Sequence, residues 1–299
     1  MGLTADDDDG TVTIRTGDGT LARYRAATAA SKPHFDVVAV PPSATDAAGR
    51  NLVLAAPHDH QWHLGLFFCQ KLVDGINCWE SELYEADGRP HGAAEHVDYG
   101  VTRDADAVTI TQDVTWRKDT GERLLADARA ITVHEPERGG YLLTWHQSLE
   151  AIDETRYLSS ETLHGHYSGF SVRFARSMTN GRVRLPATES PETDETIGPR
   201  GTWCDYSGGI DGRVGTDGTE DPWTAGIALL NHPTNEPHPV RWFAAREPFG
   251  FLSANPTFET VATLPEGDTR SWRWGAWVHA GTPDRDAIES AYERFVDVA

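Results

Sequence analysis

Lysine is nearly missing from this chain. Of 26 basic residues only Lys32, Lys71 and Lys118 are lysines, against 46 acidic residues, and the formal net charge is −20. Such a composition offers no basic face to neutralise phosphates, so neither nucleic acid nor an anionic lipid surface is an expected partner. A long apolar run is missing too: no stretch reaches the roughly 18 residues of a membrane span. The opening MGLTADDDDG has no basic or apolar leader segment, so no signal peptide is expected. Cysteine is scarce and odd in number (Cys69, Cys78, Cys204), which reads as reduced thiols in a cytoplasmic protein. An acidic, lysine-poor surface around an ordinary core suggests a halophile, whose salty cytoplasm screens self-repulsion. The G-x-S-x-G, Walker A, G-x-G-x-x-G and H-E-x-x-H patterns are all absent, so serine hydrolase, NTPase, dinucleotide and zincin readings have no positive support.

What the chain does have is 38% hydrophobic residues and ten tryptophans, enough for a sizeable core. Most of it reads as β. In VTITQDVTW, Val108, Ile110, Val114 and Trp116 fall on one face and Thr109, Thr111, Asp113 and Thr115 on the other. HFDVVAV, GYLLTWHQSLEAI, GFSVRFA, TAGIALLN and TRSWRWGAWVH also read as strands, punctuated by turn residues. The stretch 186–222 reads as a long loop system with one short strand around Trp203. Only 284–298 has a helical pattern, with Asp284 as N-cap and Ile288, Ala291, Tyr292 and Phe295 as its apolar stripe. The expectation is an all-β fold: a large antiparallel β-sandwich closed by a C-terminal helix, with residues 1–10 a disordered acidic tail and 11–299 one domain.

Three polar segments interrupt the strands. PHDHQWHLGLFF, 57–68, holds His58, His60 and His63. His58 and His60, two apart on an extended chain, share a face, and His63 joins them if the chain turns at Gln61–Trp62. Imidazoles suit acid–base catalysis, sugar hydroxyls, or a divalent metal such as Fe or Cu, for which these three are the candidate ligands. LHGHYSGFSVRF brings His166 and the Arg173 fork, and LLNHPTNEPHPVRWF brings His232, Asn235 and His238 in a proline-fixed loop. Glu80, beside Trp79, is the first carboxylate candidate, with Glu82 and Asp205 behind it. Trp62, Trp79 and Trp242 lie in or beside these motifs, where an indole face can stack on a sugar ring.

PHDHQWHLG, DGINCWE, GFSVRFA, the W-C-D-Y-S-G run and NHPTNEPHPVRWF, in that order over roughly residues 50–295, resemble the DUF6807 family, often labelled "methane oxygenase PmoA". Soluble members of that family are similar to β-supersandwich proteins of the galactose-mutarotase type, so the resemblance implies a carbohydrate-related role. The leading expectation is a cytoplasmic enzyme acting on a small carbohydrate, with His58, His60, His63, Glu80 and His232 as acid–base groups converging in one cleft. Trp62, Trp79, His166, Arg173, Asn235, His238 and Trp242 are then its substrate-binding residues. Two alternatives stand beside it: a metal-dependent oxygenase, as the label suggests, and a non-catalytic carbohydrate-binding protein.

Overall fold

The computed structural model describes residues 2–17, 19–41, 48–81, 88–137, 139–160, 167–186, 195–211 and 223–299. Strands are numbered in chain order. One sheet has nine strands in the spatial order β1 (Leu3–Asp8), β2 (Thr11–Thr16), β3 (Gly19–Arg25), β4 (His34–Val38), β5 (Leu66–Cys69), β13 (Gly169–Arg173), β19 (Phe251–Asn255), β18 (Val240–Ala245) and β15 (Glu195–Gly201). A second has eight: β14 (Thr179–Arg184), β16 (Trp203–Gly209), β17 (Thr224–Asn231), β21 (Thr269–Ala280), β11 (Gly140–Ala151), β10 (Arg123–His134), β9 (Ala107–Lys118) and β8 (Gly92–Arg103). A small sheet joins β20 (Ala262–Leu264), β12 (Arg156–Ser159), β6 (Leu72–Val73) and β7 (Ile76–Asn77). This is the antiparallel sandwich that the alternation predicts.

The alternation works as read. On β9, Val108, Ile110, Val114 and Trp116 are buried. Gln112 shares their parity and is buried as well, because Tyr24 Oη donates to its Oε1 (2.5 Å) and its Nε2 donates to the Ala26 carbonyl (3.0 Å). Between the two large sheets, Phe170 of β13 packs on Trp145 of β11 (centroids 5.5 Å apart) and stacks on Trp274 of β21 (6.1 Å, 11° between planes). Each such ring removes about 150–250 Å² from water, roughly 4–6 kcal/mol of transfer free energy before the entropy of ordering is subtracted.

Helix α1 (Arg285–Val298) forms where the pattern puts it. Asp284 accepts from the Ala287 N–H (2.9 Å) as N-cap. Ile288, Ala291 and Phe295 bury against Leu142, Trp203, Ala228, Leu230 and Trp277 on the outer face of the eight-stranded sheet. No helix among the described residues is long and apolar enough to cross a membrane.

Two expectations are corrected. The acidic N-terminus is a strand, not a disordered tail: Leu3–Asp8 pairs with β2 from Leu3↔Thr16 to Asp8↔Thr11. Leu3 is buried, Arg15 holds Asp6 (3.1 Å) and Tyr99 Oη donates to Asp7 (2.5 Å). Charge on an edge strand also discourages further pairing. The stretch 186–222 carries two strands, β15 and β16, rather than one; its residues 187–194 and 212–222 lie outside the described set.

Candidate active site

Strand register builds the floor of the site. Arg173, Phe251 and Ala245 lie directly opposite one another across β13, β19 and β18, and Ser171, Ser253 and Phe243 form the next row. Cross-strand partners share a face, so both rows point away from the space between the two large sheets, while Phe170, Val172, Leu252, Ala254, Trp242 and Ala244 point into it. Over the outward rows lies a cavity of about 380 Å³. Phe243, Phe249, Phe251 and Trp62 give it aromatic walls, and Asp59, His60, His63, Glu80, Tyr167 and Glu247 give it polar ones.

Segment 57–65 delivers the imidazoles. It is not extended. Two consecutive turns form, with the His60 N–H on the Pro57 carbonyl (3.1 Å) and the His63 N–H on the His60 carbonyl (2.9 Å). The pair that comes together is therefore His60 and His63, three apart on a turn, rather than His58 and His60. Gly65 ends the segment at φ +79°, where a Cβ would stand 2.1 Å from the Phe35 carbonyl oxygen; only glycine fits.

His60 and His63 stack (centroids 4.8 Å, 18° between planes), and His63 stacks in turn on Phe251 (4.7 Å, 23°). Arg173 Nη1 reaches His63 Nδ1 at 3.4 Å; a guanidinium only donates, so Nδ1 accepts and the proton sits on Nε2. Burial pushes His63 well below the ordinary imidazole value, and the neighbouring His60 and Arg173 push it further. Burial also lowers His60, although Asp59, with Oδ2 3.4 Å from His60 Nδ1, works against the shift. Burial alone would raise the Asp59 carboxyl, but Arg173 at 3.2 Å outweighs it and holds the group at about 2. The result at neutral pH is a stacked pair of uncharged imidazoles backed by an ionised carboxylate. With Nδ1 of His60 on the Asp59 side, Nε2 is the nitrogen turned away from that carboxylate.

Glu80 forms the other polar wall and is almost wholly buried. The Lys71 ammonium sits against both of its oxygens, and Tyr167 Oη donates to Oε1 (3.3 Å). A carboxylate engaged this way is better placed to orient a neighbour than to take a proton.

The candidate metal set does not fit a metal. Among the described residues no group of three or more His, Cys, Asp or Glu side chains is arranged so that it could hold a metal ion. Guanidinium groups approach two of the imidazoles: Arg173 stands on His63 Nδ1, and Arg176 on His58 Nδ1 (3.3 Å). Two cations at the ligand atoms repel a third.

Other expected site residues lie elsewhere. His58 is exposed and does not line the cavity. His232 and His238 do not meet His60: the 231–238 loop is clasped to β21 and α1 on the other sheet. His232 Nδ1 accepts from the Thr234 N–H (3.2 Å) and Nε2 faces the Val296 carbonyl (3.4 Å). Asn231 Nδ2 donates to His238 Nδ1 (3.1 Å). Asn235 Nδ2 donates to Asn231 Oδ1 (2.7 Å) and to the Arg273 carbonyl (2.7 Å), and its Oδ1 accepts from the Arg273 N–H (2.7 Å). Trp242 points into the core, with Nε1 on the Gly201 carbonyl (3.0 Å). Trp79 is fully buried and supports the wall from behind, 5.2 Å from Tyr167 and 6.4 Å from His63 between centroids. Arg173 holds Asp59 and His63 from below without lining the cavity. His166 and Glu82 lie outside the described residues.

Several site residues were not picked out from the sequence: Lys71, Tyr167, Phe243, Glu247, Phe249 and Phe251. For Lys71 a signal existed. Arginine has replaced lysine nearly everywhere, yet two of the three lysines, Lys32 and Lys71, are buried in this neighbourhood, Lys32 donating to the Trp79 carbonyl (2.7 Å). A compact ammonium that fits where a guanidinium fork does not explains their retention.

Comparison with known proteins yields one family and no curated match. The solved structures the chain is similar to include a galactose 1-epimerase from Lactobacillus acidophilus NCFM, at 8% identity over 94% of this chain and 99% of that one with a TM-score of 0.42; and a GalM/aldose epimerase homologue from C. elegans, at 11% identity over 93% and 96%, with a TM-score of 0.32. No curated protein sequence matches the chain. The model of DUF6807, described as a family of unknown function, matches residues 11–293, and the chain belongs to that family.

Proposed function

We propose that this protein is an enzyme acting on a sugar or sugar derivative bound in the His60–His63 cavity, with His60 Nε2 as the proton-transferring atom. One observation carries the reading: a single cavity of about 380 Å³, within the ordinary range for small-molecule sites, joins aromatic faces to an uncharged imidazole pair. Phe243, Phe249, Phe251 and Trp62 suit the apolar faces of a pyranose, and the polar wall suits its hydroxyls. A purely binding site needs only the aromatic platforms. Asp59, held ionised by Arg173 with Oδ2 3.4 Å from His60 Nδ1, supplies the negative charge that stabilises the imidazolium a base becomes.

In the reaction the substrate lies over the outward rows of β18 and β19. His60 Nε2 takes a proton from a ring hydroxyl or an activated C–H, and Asp59 stabilises the charge that develops. Glu80 is fixed by Lys71 and Tyr167 as a hydrogen-bond acceptor for substrate hydroxyls. Epimerisation and elimination begin with such a transfer; in hydrolysis the same nitrogen would take its proton from the attacking water instead. The protein acts in the cytoplasm on this reading, in keeping with the unpaired, buried Cys69, Cys78 and Cys204.

The test is a panel of free monosaccharides and methyl glycosides, followed by proton NMR for exchange or conversion. Wild type and His134→Ala, altered on β10 away from the cavity, should bind and turn over the same sugar. His60→Ala should do neither while melting near the wild-type temperature. A fully active His60→Ala protein would overturn the assignment.

A further inference from the structure

A second cavity, of about 750 Å³, is backed by the same chain segments that wall the first. Its lining includes Gln61, Leu64 and Ser81, the immediate neighbours of His60, Trp62, His63 and Glu80, which line the other. The partition is therefore one chain segment thick, with Gln61, Leu64 and Ser81 on one side of it and His60, Trp62, His63 and Glu80 on the other. It is a built feature. The Ala56 N–H on the His63 carbonyl (2.7 Å) and the Ala55↔Leu64 bridge pin it. Ala56 and Ser81, both lining the second compartment, hold left-handed φ angles of 50° and 55°, a strain that non-glycine residues bear only where the surroundings impose it.

The two compartments differ in chemistry. The first is walled by aromatic rings. The second is walled by Ser31, Gln61 and Ser81, by two matched ion pairs, Arg117 with Glu95 (3.3 Å) and Lys118 with Glu122 (2.7 Å), and by Asp119 beside the His91 ring (3.9 Å). The paired groups still offer hydrogen bonds, and with Arg117 and Lys118 both engaged by carboxylates this wall has no unmatched cation to select an anion. Such a wall suits a neutral ligand rich in hydroxyls.

We infer that the two compartments are halves of one cleft whose ligand is a glycoside of at least two sugar units. The reacting unit lies over Phe243 and Phe251, the next lies in the polar compartment, and the linkage crosses the crest at Gln61–Trp62. This rests on the reading of the first cavity as a sugar site.

Calorimetric titration with glucose, maltose, cellobiose, galactose and lactose tests it. At least one disaccharide should bind about tenfold or more tighter than its monosaccharide, a difference large enough to reflect a second occupied subsite. Ala29→Trp, at an exposed position on the second compartment, should abolish that gain, as should Ala93→Trp on β8. If monosaccharide binds and His60→Ala removes it, but the disaccharides bind no tighter, the two-compartment inference falls and the proposed function stands. A gain that survives both tryptophan variants also overturns the inference. If none of these sugars binds, the sugar-site reading and the inference fail together.

Discussion

Segments 58–64 and 231–238 carry the same kinds of side chains, interrupt strands in the same way, and are put to opposite uses. In 231–238 the polar atoms are consumed internally. Asn235 alone makes three hydrogen bonds, two of them to the backbone of β21, and Trp272 Nε1 donates to the Glu236 carbonyl (3.2 Å). Tyr292 of α1 closes the set on the Asn231 carbonyl (3.3 Å). The segment is a clasp between sheet and helix. In 58–64 the backbone closes its own turns, and the rings are left to stack over a cavity. Residue type did not separate the two; what separates them is whether the hydrogen-bonding capacity is already spent on the fold.

That contrast can be broken in both directions. The largest effect should come from His60→Ala: loss of a general base lowers turnover by about 10²–10⁴-fold, with little change in melting temperature. Lys71→Met should act on stability instead, by roughly 3–5 kcal/mol, because it leaves the Glu80 carboxylate buried without its partner; chemical denaturation should show the double variant with Glu80→Gln to be milder than the single. Asn235→Ala should cost about 2–4 kcal/mol by orphaning the buried groups it serves, while the protein that remains folded keeps its turnover. If Asn235→Ala instead removed activity without loss of stability, the clasp assignment would be wrong.

Acid should sharpen the contrast. His34 is lowered by burial to about 4 and His63 well below 6.5, whereas His232 and His238 are lowered less deeply. A histidine whose folded value is depressed takes up its proton more readily when unfolded. The stability it confers is complete above its unfolded value of about 6.5 and is lost as pH falls through the folded value. Melting temperature should therefore drop between pH 6.5 and 4, and His63→Gln should flatten that drop more than His232→Gln. Turnover should persist down to pH 6.5 and fall below it as His60 protonates, since its own value is also lowered. The smallest effect is expected from Asp284→Ala, which removes the N-cap of the helix that closes the clasp: about 1 kcal/mol in denaturation, with no change at the cavity.

Much of the fold was legible because alternation survives wherever one face of a strand is buried, as on β9, and because 284–298 carries both cap and stripe. The N-terminal strand was not, since Leu3 is its only large apolar residue and the Asp6–Asp8 run looks solvated; its partners, Arg15 and Tyr99, come from elsewhere in the chain. At the site, the density of polar residues pointed to His60, His63 and Glu80. It misplaced His58, because a period-two argument assumes an extended chain and this one turns twice. Phe243 and Phe251 became visible only through the register of β18 and β19, a long-range property that no local pattern encodes. Trp242 was misread for the same reason: one step in parity separates it from Phe243 and sends it into the core.

The central claim, that one histidine segment receives the ligand and the other holds the fold, is tested most directly by imidazole resonances. Nitrogen-edited NMR spectra of the wild-type protein, with ring signals assigned by single His→Gln variants, should be followed during titration with the sugar that binds. The account predicts that His60 and His63 shift progressively to saturation while His232 and His238 stay in place. Shifts at His232 and His238 with none at His60 and His63 would contradict it.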